Sequence, residues 1–283
     1  MRLGGPILDL SPAAAAAGDP ADWVAAARAL GYRAVYCPLD QTAGDATVRA
    51  YEQAAAAADL VIAEVGAWSN PISPDETERR TALQFCQERL ALADRIGARC
   101  CVNISGSRSS LWDGPHADNL TPATFDLIVE TTRAIIDAVR PTRTAYCLET
   151  MPWAYPDSVE SYERLLAAID RPTFAVHLDP VNLVSSPQRY YGNAALIREC
   201  FARLGPQVRS CHAKDIALAT RLTTHLDEVR AGLGGLDYAT FLRELDRLPA
   251  DTPLMLEHLP AAEDYVAAAA HIRGVAAGIG VAL

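Results

Sequence analysis

Thr144-Ala-Tyr-Cys-Leu-Glu-Thr-Met-Pro-Trp153 is a short apolar run that ends in a carboxylate, with a proline soon after. Three later runs have the same form. Phe174-Ala-Val-His-Leu-Asp-Pro-Val-Asn182 ends in Asp179, Val208-Arg-Ser-Cys-His-Ala-Lys-Asp215 carries His212, and Pro253-Leu-Met-Leu-Glu-His-Leu259 carries Glu257. Successive ends lie 30, 33 and 45 residues apart, room for one helix and two loops between strands. Four strand ends therefore offer Glu, Asp, His and Glu at one repeating position. That donor set suits a hard or borderline divalent ion.

The same alternation runs back to the start of the chain. Arg2 to Leu10 reads as a first strand, weakened by Gly4-Gly5-Pro6. Asp19-Pro20 opens a helix that Gly31 closes. Ala34–Pro38 and Leu60–Trp68 read as strands, with an Ala-rich helix from Asp45 to Asp59 between them. Ser73-Pro74-Asp75-Glu76 signals the start of a helix ending near Gly97. Arg99–Ser105 is a fourth strand, and Thr121-Pro122 starts the helix before the fifth. Helices are expected over Ser158–Asp170, Asn193–Leu204, Leu236–Leu248 and Glu263–Gly278, and Arg221 to Gly235 reads as a long loop. Eight strand–helix units with no linker or change of composition predict one (β/α)8 TIM barrel spanning residues 1–283. A doubly wound open sheet is the alternative, opposed by the lack of a Gly-rich phosphate fingerprint after any early strand.

Composition bounds the partners. Twenty-five basic and 35 acidic residues leave a formal charge of −10, a poor match to nucleic acid, where phosphate contacts need clustered Lys and Arg. No apolar run is long enough for a membrane helix, and no signal peptide is read. Seven cysteines without a C-x-x-C pair fit buried, reduced thiols in a cytoplasmic protein. Cys147 should share the face of Glu149, and Cys211 should face away from His212.

In a barrel, strand residues alternate between interior and helix layer, and the C-terminal rim carries the chemistry. Glu149, Asp179, His212 and Glu257 would meet there. A lone strand-end carboxylate is ordinarily a solvated rim residue or a helix cap. Four such ends in consecutive units are different: a buried cluster of their carboxylates would be strongly self-repelling without a cation. The expected cofactor is one divalent metal ion, Mn2+ first, with Mg2+, Co2+ or Zn2+ as alternatives. Lys214 shares the parity of His212 and could polarise a carbonyl or simply pair with a rim carboxylate. Trp68 and Trp153 could wall a sugar ring or merely cover the core. His177, Asn182, His116 and Arg230 complete the candidate substrate contacts. For His177 the competing reading is a satisfied core histidine, for His116 plain surface, and for Arg230 a surface ion pair. His258 should face the helices.

Leu148-Glu-Thr-Met-Pro152, His177-Leu-Asp-Pro-Val-Asn182, Cys211-His-Ala-Lys-Asp215 and Leu256-Glu-His258 together resemble the xylose isomerase-like barrel superfamily, in particular its sugar phosphate isomerase/epimerase group. The resemblance covers essentially the whole chain. It implies that Glu149 and Glu257 bind the metal and exchange the substrate proton, with Asp179 and His212 as the other ligands. Ketose 3-epimerases of this superfamily usually carry a histidine shortly after the aspartate, where this chain has Asn182. The His-x-Lys-Asp run is more similar to inosose dehydratases. Endonuclease IV shares the fold but uses many more histidines than the six here.

The expectation is a metal-dependent sugar or cyclitol isomerase/epimerase, with Glu149, Glu257 and Lys214 as the catalytic candidates. A lyase acting on a keto-sugar or keto-inositol, by dehydration or C-glycoside cleavage, is the runner-up. A non-catalytic sugar-binding barrel is the third reading. The partner expected is a small-molecule sugar or cyclitol, and a homo-oligomer is compatible with the sequence.

Overall fold

The computed structural model describes residues 1–8 and 11–283. Its apolar runs form a closed parallel barrel of β1 (Arg2–Gly5), β2 (Ala34–Tyr36), β3 (Val61–Gly66), β4 (Cys100–Asn103), β5 (Ala145–Glu149), β6 (Phe174–Leu178) and β7 (Val208–Ala213), closed by β10 (Pro253–Leu256) between β7 and β1. The remaining strands, β8 (Asp215–Leu218) and β9 (Leu226–Val229), form an antiparallel hairpin outside it. Closure excludes the open doubly wound sheet.

The first strand is shorter than expected. It ends at Gly5, because Pro6 has no N–H to continue a ladder, while Asp9 and Leu10 lie outside the described residues. Gly4 is required where it stands: a Cβ there would lie 2.1 Å from the Ala34 carbonyl oxygen of the neighbouring strand. The helix Glu76–Ile96 is capped by Asp75, whose carboxylate accepts from the Glu78 N–H. Ser73 instead bonds the Glu78 side chain and the Asp75 N–H. Pro12–Ala17 and Pro187–Tyr191 are short helices that the sequence reading left out.

Side chains divide into two layers. Outward residues such as Leu148, Val176 and Cys211 pack under the helices in the main core. Inward, Cys100, Val102, Ala145, Cys147 and Ala175 form a small apolar plug. Small inner residues leave the upper barrel free for polar groups. Among the described residues, no helix is long and apolar enough to cross a membrane.

The largest departure from expectation is the segment from Arg221 to Gly235, part of which pairs as β9 instead of looping freely. Asp215 explains it. Its Oδ1 accepts from the N–H groups of Ile216 and Leu236, at 2.8 and 2.9 Å, and its Oδ2 from Gly232 and Gly234, at 2.9 and 3.1 Å. The three charge-assisted bonds from Gly232, Gly234 and Leu236 to this one carboxylate fix the return of the chain, and the hairpin carries Glu228 back over the rim.

Candidate metal centre and substrate cavity

Glu149 ends β5, Asp179 follows β6, His212 lies near the end of β7, and Glu257 follows β10. All four point into the barrel mouth, and one ligand atom from each falls within 4.8 Å of the others. His212 Nδ1 stands 3.1 Å from Glu149 Oε1 and 2.8 Å from Glu257 Oε1. Lys214 reaches the same point, with Nζ 2.8 Å from Asp179 Oδ2, 2.6 Å from Glu257 Oε1 and 3.6 Å from Glu149 Oε1. Asp179 Oδ2 and Glu257 Oε1 are buried and meet Lys214 as ion pairs rather than as aligned hydrogen bonds. Three carboxylates and an imidazole that converge in this way fit a divalent ion.

The charges are tightly linked. Burial opposes ionisation of Glu149 and Glu257, but His212 and Lys214 hold both below the usual carboxylate range. Burial, against the attraction of Lys214, pushes Asp179 up to about 6. Burial also disfavours charge on His212 and Lys214, yet the surrounding carboxylates raise both well above their ordinary values. Among protein groups, these two cations are what make three buried carboxylates tolerable.

Backbone contacts hold the donors. Asp179 Oδ1 accepts from the Val181 N–H at 2.9 Å and the Asn182 N–H at 3.3 Å. Thr150 exchanges hydrogen bonds with the Asp179 backbone. Asn182 Nδ2 donates to Glu149 Oε1 at 3.1 Å and to the Thr150 carbonyl. The Tyr238 hydroxyl donates to the Lys214 carbonyl at 2.7 Å.

Beneath this group lies a residue the sequence reading missed. Glu64 is fully buried in β3 and accepts from His177 Nε2 at 3.0 Å, from the Ser210 hydroxyl, and from His212 Nε2 at 3.3 Å. Burial opposes its charge, but His177 and His212 hold it far below the usual carboxylate range. Strict alternation from outward-facing Ile62 would turn Glu64 outward. The register instead slips by one residue at Ala63, so Ile62 and Val65 both pack outside and Glu64 turns in.

A cavity of about 520 Å³ opens above the donors, walled by Trp68, Trp112, Met151, Trp153, Asn182 and Lys214, with Glu149, Glu228, Glu257 and His258 also lining it. Gly66 lets Trp68 fold over it, since a Cβ there would meet the indole Nε1 at 2.5 Å. Trp153 is fixed by its indole N–H, which donates to the Asp113 carbonyl at 2.7 Å.

Three candidate contacts do not line this cavity. His177 is wholly buried below it, bonded to Glu64. His116 stays at the surface, where Nδ1 accepts from the Asp118 N–H and caps a 3-10 turn. Arg230 lies 3.5 Å from Asp264 and donates to the Ala231 carbonyl. His258 corrects the expectation in the other direction. Its left-handed backbone, φ 58°, breaks the alternation after Glu257 and turns the ring to the cavity, 3.3 Å from Glu228 Oε1. That contact with Glu228 raises its pKa. Cys147 lies in the inner plug and Cys211 in the outer core, on the sides expected of them.

Solved structures share this architecture. A xylose isomerase-like TIM-barrel protein from Mycobacterium smegmatis in complex with magnesium superposes with a TM-score of 0.68 at 16% identity, over 98% of this chain and 97% of its own. A D-psicose 3-epimerase with D-tagatose from Clostridium cellulolyticum H10 gives 0.69 at 12% identity over 100% of both chains. A probable 3-DHS dehydratase from Bacillus anthracis gives 0.66 at 18% identity, over 89% of this chain and 91% of its own. At these identities the likeness is one of fold. No functionally curated protein matches the chain. In sequence, the model of the xylose isomerase-like TIM barrel matches residues 24–275, and the chain belongs to that family.

Proposed function

We propose that the protein, acting as one domain over residues 1–283, is a divalent-metal-dependent isomerase or epimerase of a sugar or cyclitol. One observation carries this reading: Glu149, Asp179, His212 and Glu257 converge within 4.8 Å, and Glu149 and Glu257 line the rim cavity. These four would hold the ion, which when bound would polarise the substrate carbonyl and stabilise enediolate charge. Glu149 and Glu257 supply the proton transfers. Both are held in the ionised form near neutral pH, as a base requires. One removes the proton from the carbon next to the carbonyl, leaving an enediolate. A proton returned from the other face of that carbon gives epimerisation, and one returned to the neighbouring carbon gives isomerisation. Asn182 orients Glu149, and the indoles of Trp68 and Trp153 suit the C–H faces of the ring.

A lyase is the second reading, favoured by Lys214. Its ammonium lies 2.6 Å from Glu257 and could protonate a hydroxyl leaving from the carbon beside the enediolate. A panel of ketoses and keto-inositols incubated with metal-loaded protein in D2O tests both. Deuterium at the carbon next to the carbonyl with retained formula supports the isomerase/epimerase, and loss of water supports the lyase. No exchange and no product with any member, with binding retained, would leave the non-catalytic sugar-binding barrel.

A further inference from the structure

A second cavity adjoins the first. It measures about 840 Å³ and shares two walls with it, Trp68 and Trp112. Its other walls come from the first turns of the helix Glu76–Ile96 and include Thr77, Thr81, Ala82 and Phe85. Trp68 therefore stands as a partition. Its ring lies 6.5 Å from the His212 ring on the metal side and lines the second cavity on the other. Trp112 is held against Ile104, Met151 and Ala154, so the shared wall is anchored.

The chemistry of the second cavity is one-sided. Part of its polar lining is already engaged. Asn70 exchanges hydrogen bonds with the Ser107 backbone, Glu78 accepts from Ser73, and Asp75 caps its helix. Its broadest faces are two indoles and a phenyl ring, beside buried Ala82. A second sugar ring needs hydrogen-bond partners for its hydroxyls when it leaves water, whereas the broadest faces here are aromatic. A flat aromatic group needs only faces and edges to pack on. Both volumes lie in the range of small-molecule sites.

We propose that the substrate is a keto-sugar carrying an aryl substituent, with the sugar over the carboxylate–histidine cluster and the aryl group beyond Trp68, among Phe85, Thr81 and Trp112. This inference rests on the sugar-acting reading above and narrows its substrate class.

The test is calorimetric and uses the full chain loaded with Mn2+. Methyl and 4-nitrophenyl glycosides of a panel of pentoses and hexoses, both anomers, are compared pairwise, with 4-nitrophenol as a separate probe. The expected result is at least tenfold tighter binding of 4-nitrophenyl than of methyl partners, with saturable binding of 4-nitrophenol alone. Thr81→Arg, at an exposed helix position, should fill the cavity. It should abolish both effects and leave the methyl glycosides unchanged. Thr81→Val, which keeps the cavity open, should retain both. The inference is overturned if no pair shows an aryl gain and 4-nitrophenol does not bind, or if the gain survives Thr81→Arg. Failure of the metal reading is separate: the protein then takes up no stoichiometric Mn2+, whatever the aryl probes do.

Discussion

Glu64 Oε2 lies 3.3 Å from His212 Nε2, on the opposite side of the imidazole from Glu149 and Glu257. With the Nε2 proton directed at Glu64, Nδ1 is the ring nitrogen turned to the rim. Such outer carboxylates set the tautomer and orientation of a ligating histidine. Glu64→Gln is therefore expected to weaken Mn2+ binding by about 10–100-fold, because an amide can present its N–H to Nε2 and hold the wrong tautomer. Titration of chelator-stripped protein measures it. Unchanged affinity in a folded variant would remove Glu64 from this role.

His212→Ala is expected to abolish stoichiometric Mn2+ or Co2+ uptake while the circular dichroism spectrum stays that of the parent. The imidazole sits in the barrel mouth, and the main apolar core does not include it. Protein purified without chelator should hold one divalent ion per chain by elemental analysis. Absence of the ion, with none regained on adding Mn2+ or Co2+, would remove the metal centre from the proposal.

Glu149→Gln and Glu257→Gln keep side-chain shape and one donor oxygen but remove the base. In variants shown to retain metal, turnover of the identified substrate should fall by about 10²–10⁴-fold, and at least one should lose deuterium exchange. Turnover within about tenfold of the parent in both would move proton transfer elsewhere, Lys214 being the next group in reach.

Lys214→Met removes an ammonium that approaches Asp179, Glu149 and Glu257. With chelator present, urea unfolding should show a loss of about 3–5 kcal/mol, as for other broken buried ion pairs. Saturating Mn2+ should recover much of it, since the ion supplies the missing positive charge. An equal loss with and without Mn2+ would mean that the two cations do not act on the same carboxylates.

Burial pushes the Cys37 thiol up to about 11 and the Cys200 thiol to about 12, from an ordinary value of 9.0. A raised folded-state value means that the native protein holds these protons more tightly than the unfolded chain. Their contribution to stability is complete below about 9 and is lost as pH rises through 11 to 12. At pH 8 iodoacetamide should leave buried Cys200 unmodified until urea unfolds the chain, with half-buried Cys37 reacting slowly, and the urea midpoint should fall between pH 9 and 11. Rapid native-state labelling of Cys200 at pH 8 would contradict its burial.

Trp153→Ala should lower kcat/KM for the identified substrate, because the indole walls the cavity. Arg230→Ala should leave it within about twofold, because the guanidinium lies near Asp264 and does not line that cavity. The reverse pattern would relocate the substrate chamber.

The barrel was legible in the sequence because its signals are local. Apolar runs, caps and breakers repeat eight times, and each can be read within about ten residues. The convergence of Glu149, Asp179, His212 and Glu257 followed too, since equivalent strand ends of a barrel share one rim. Positions that depend on leaving the regular strand period were not legible. Glu64 turns inward only through the slip at Ala63, and His258 turns to the cavity only through its left-handed backbone. Nor could spacing show that Asp215 would gather four backbone N–H groups and bring Glu228 over the rim. The sequence by itself determined the order of the elements and which donors end their strands. The tertiary structure alone decided which loop residues reach the donors. A strand's period is dictated by its own backbone, whereas a bulge or a loop's path depends on partners distant in the chain.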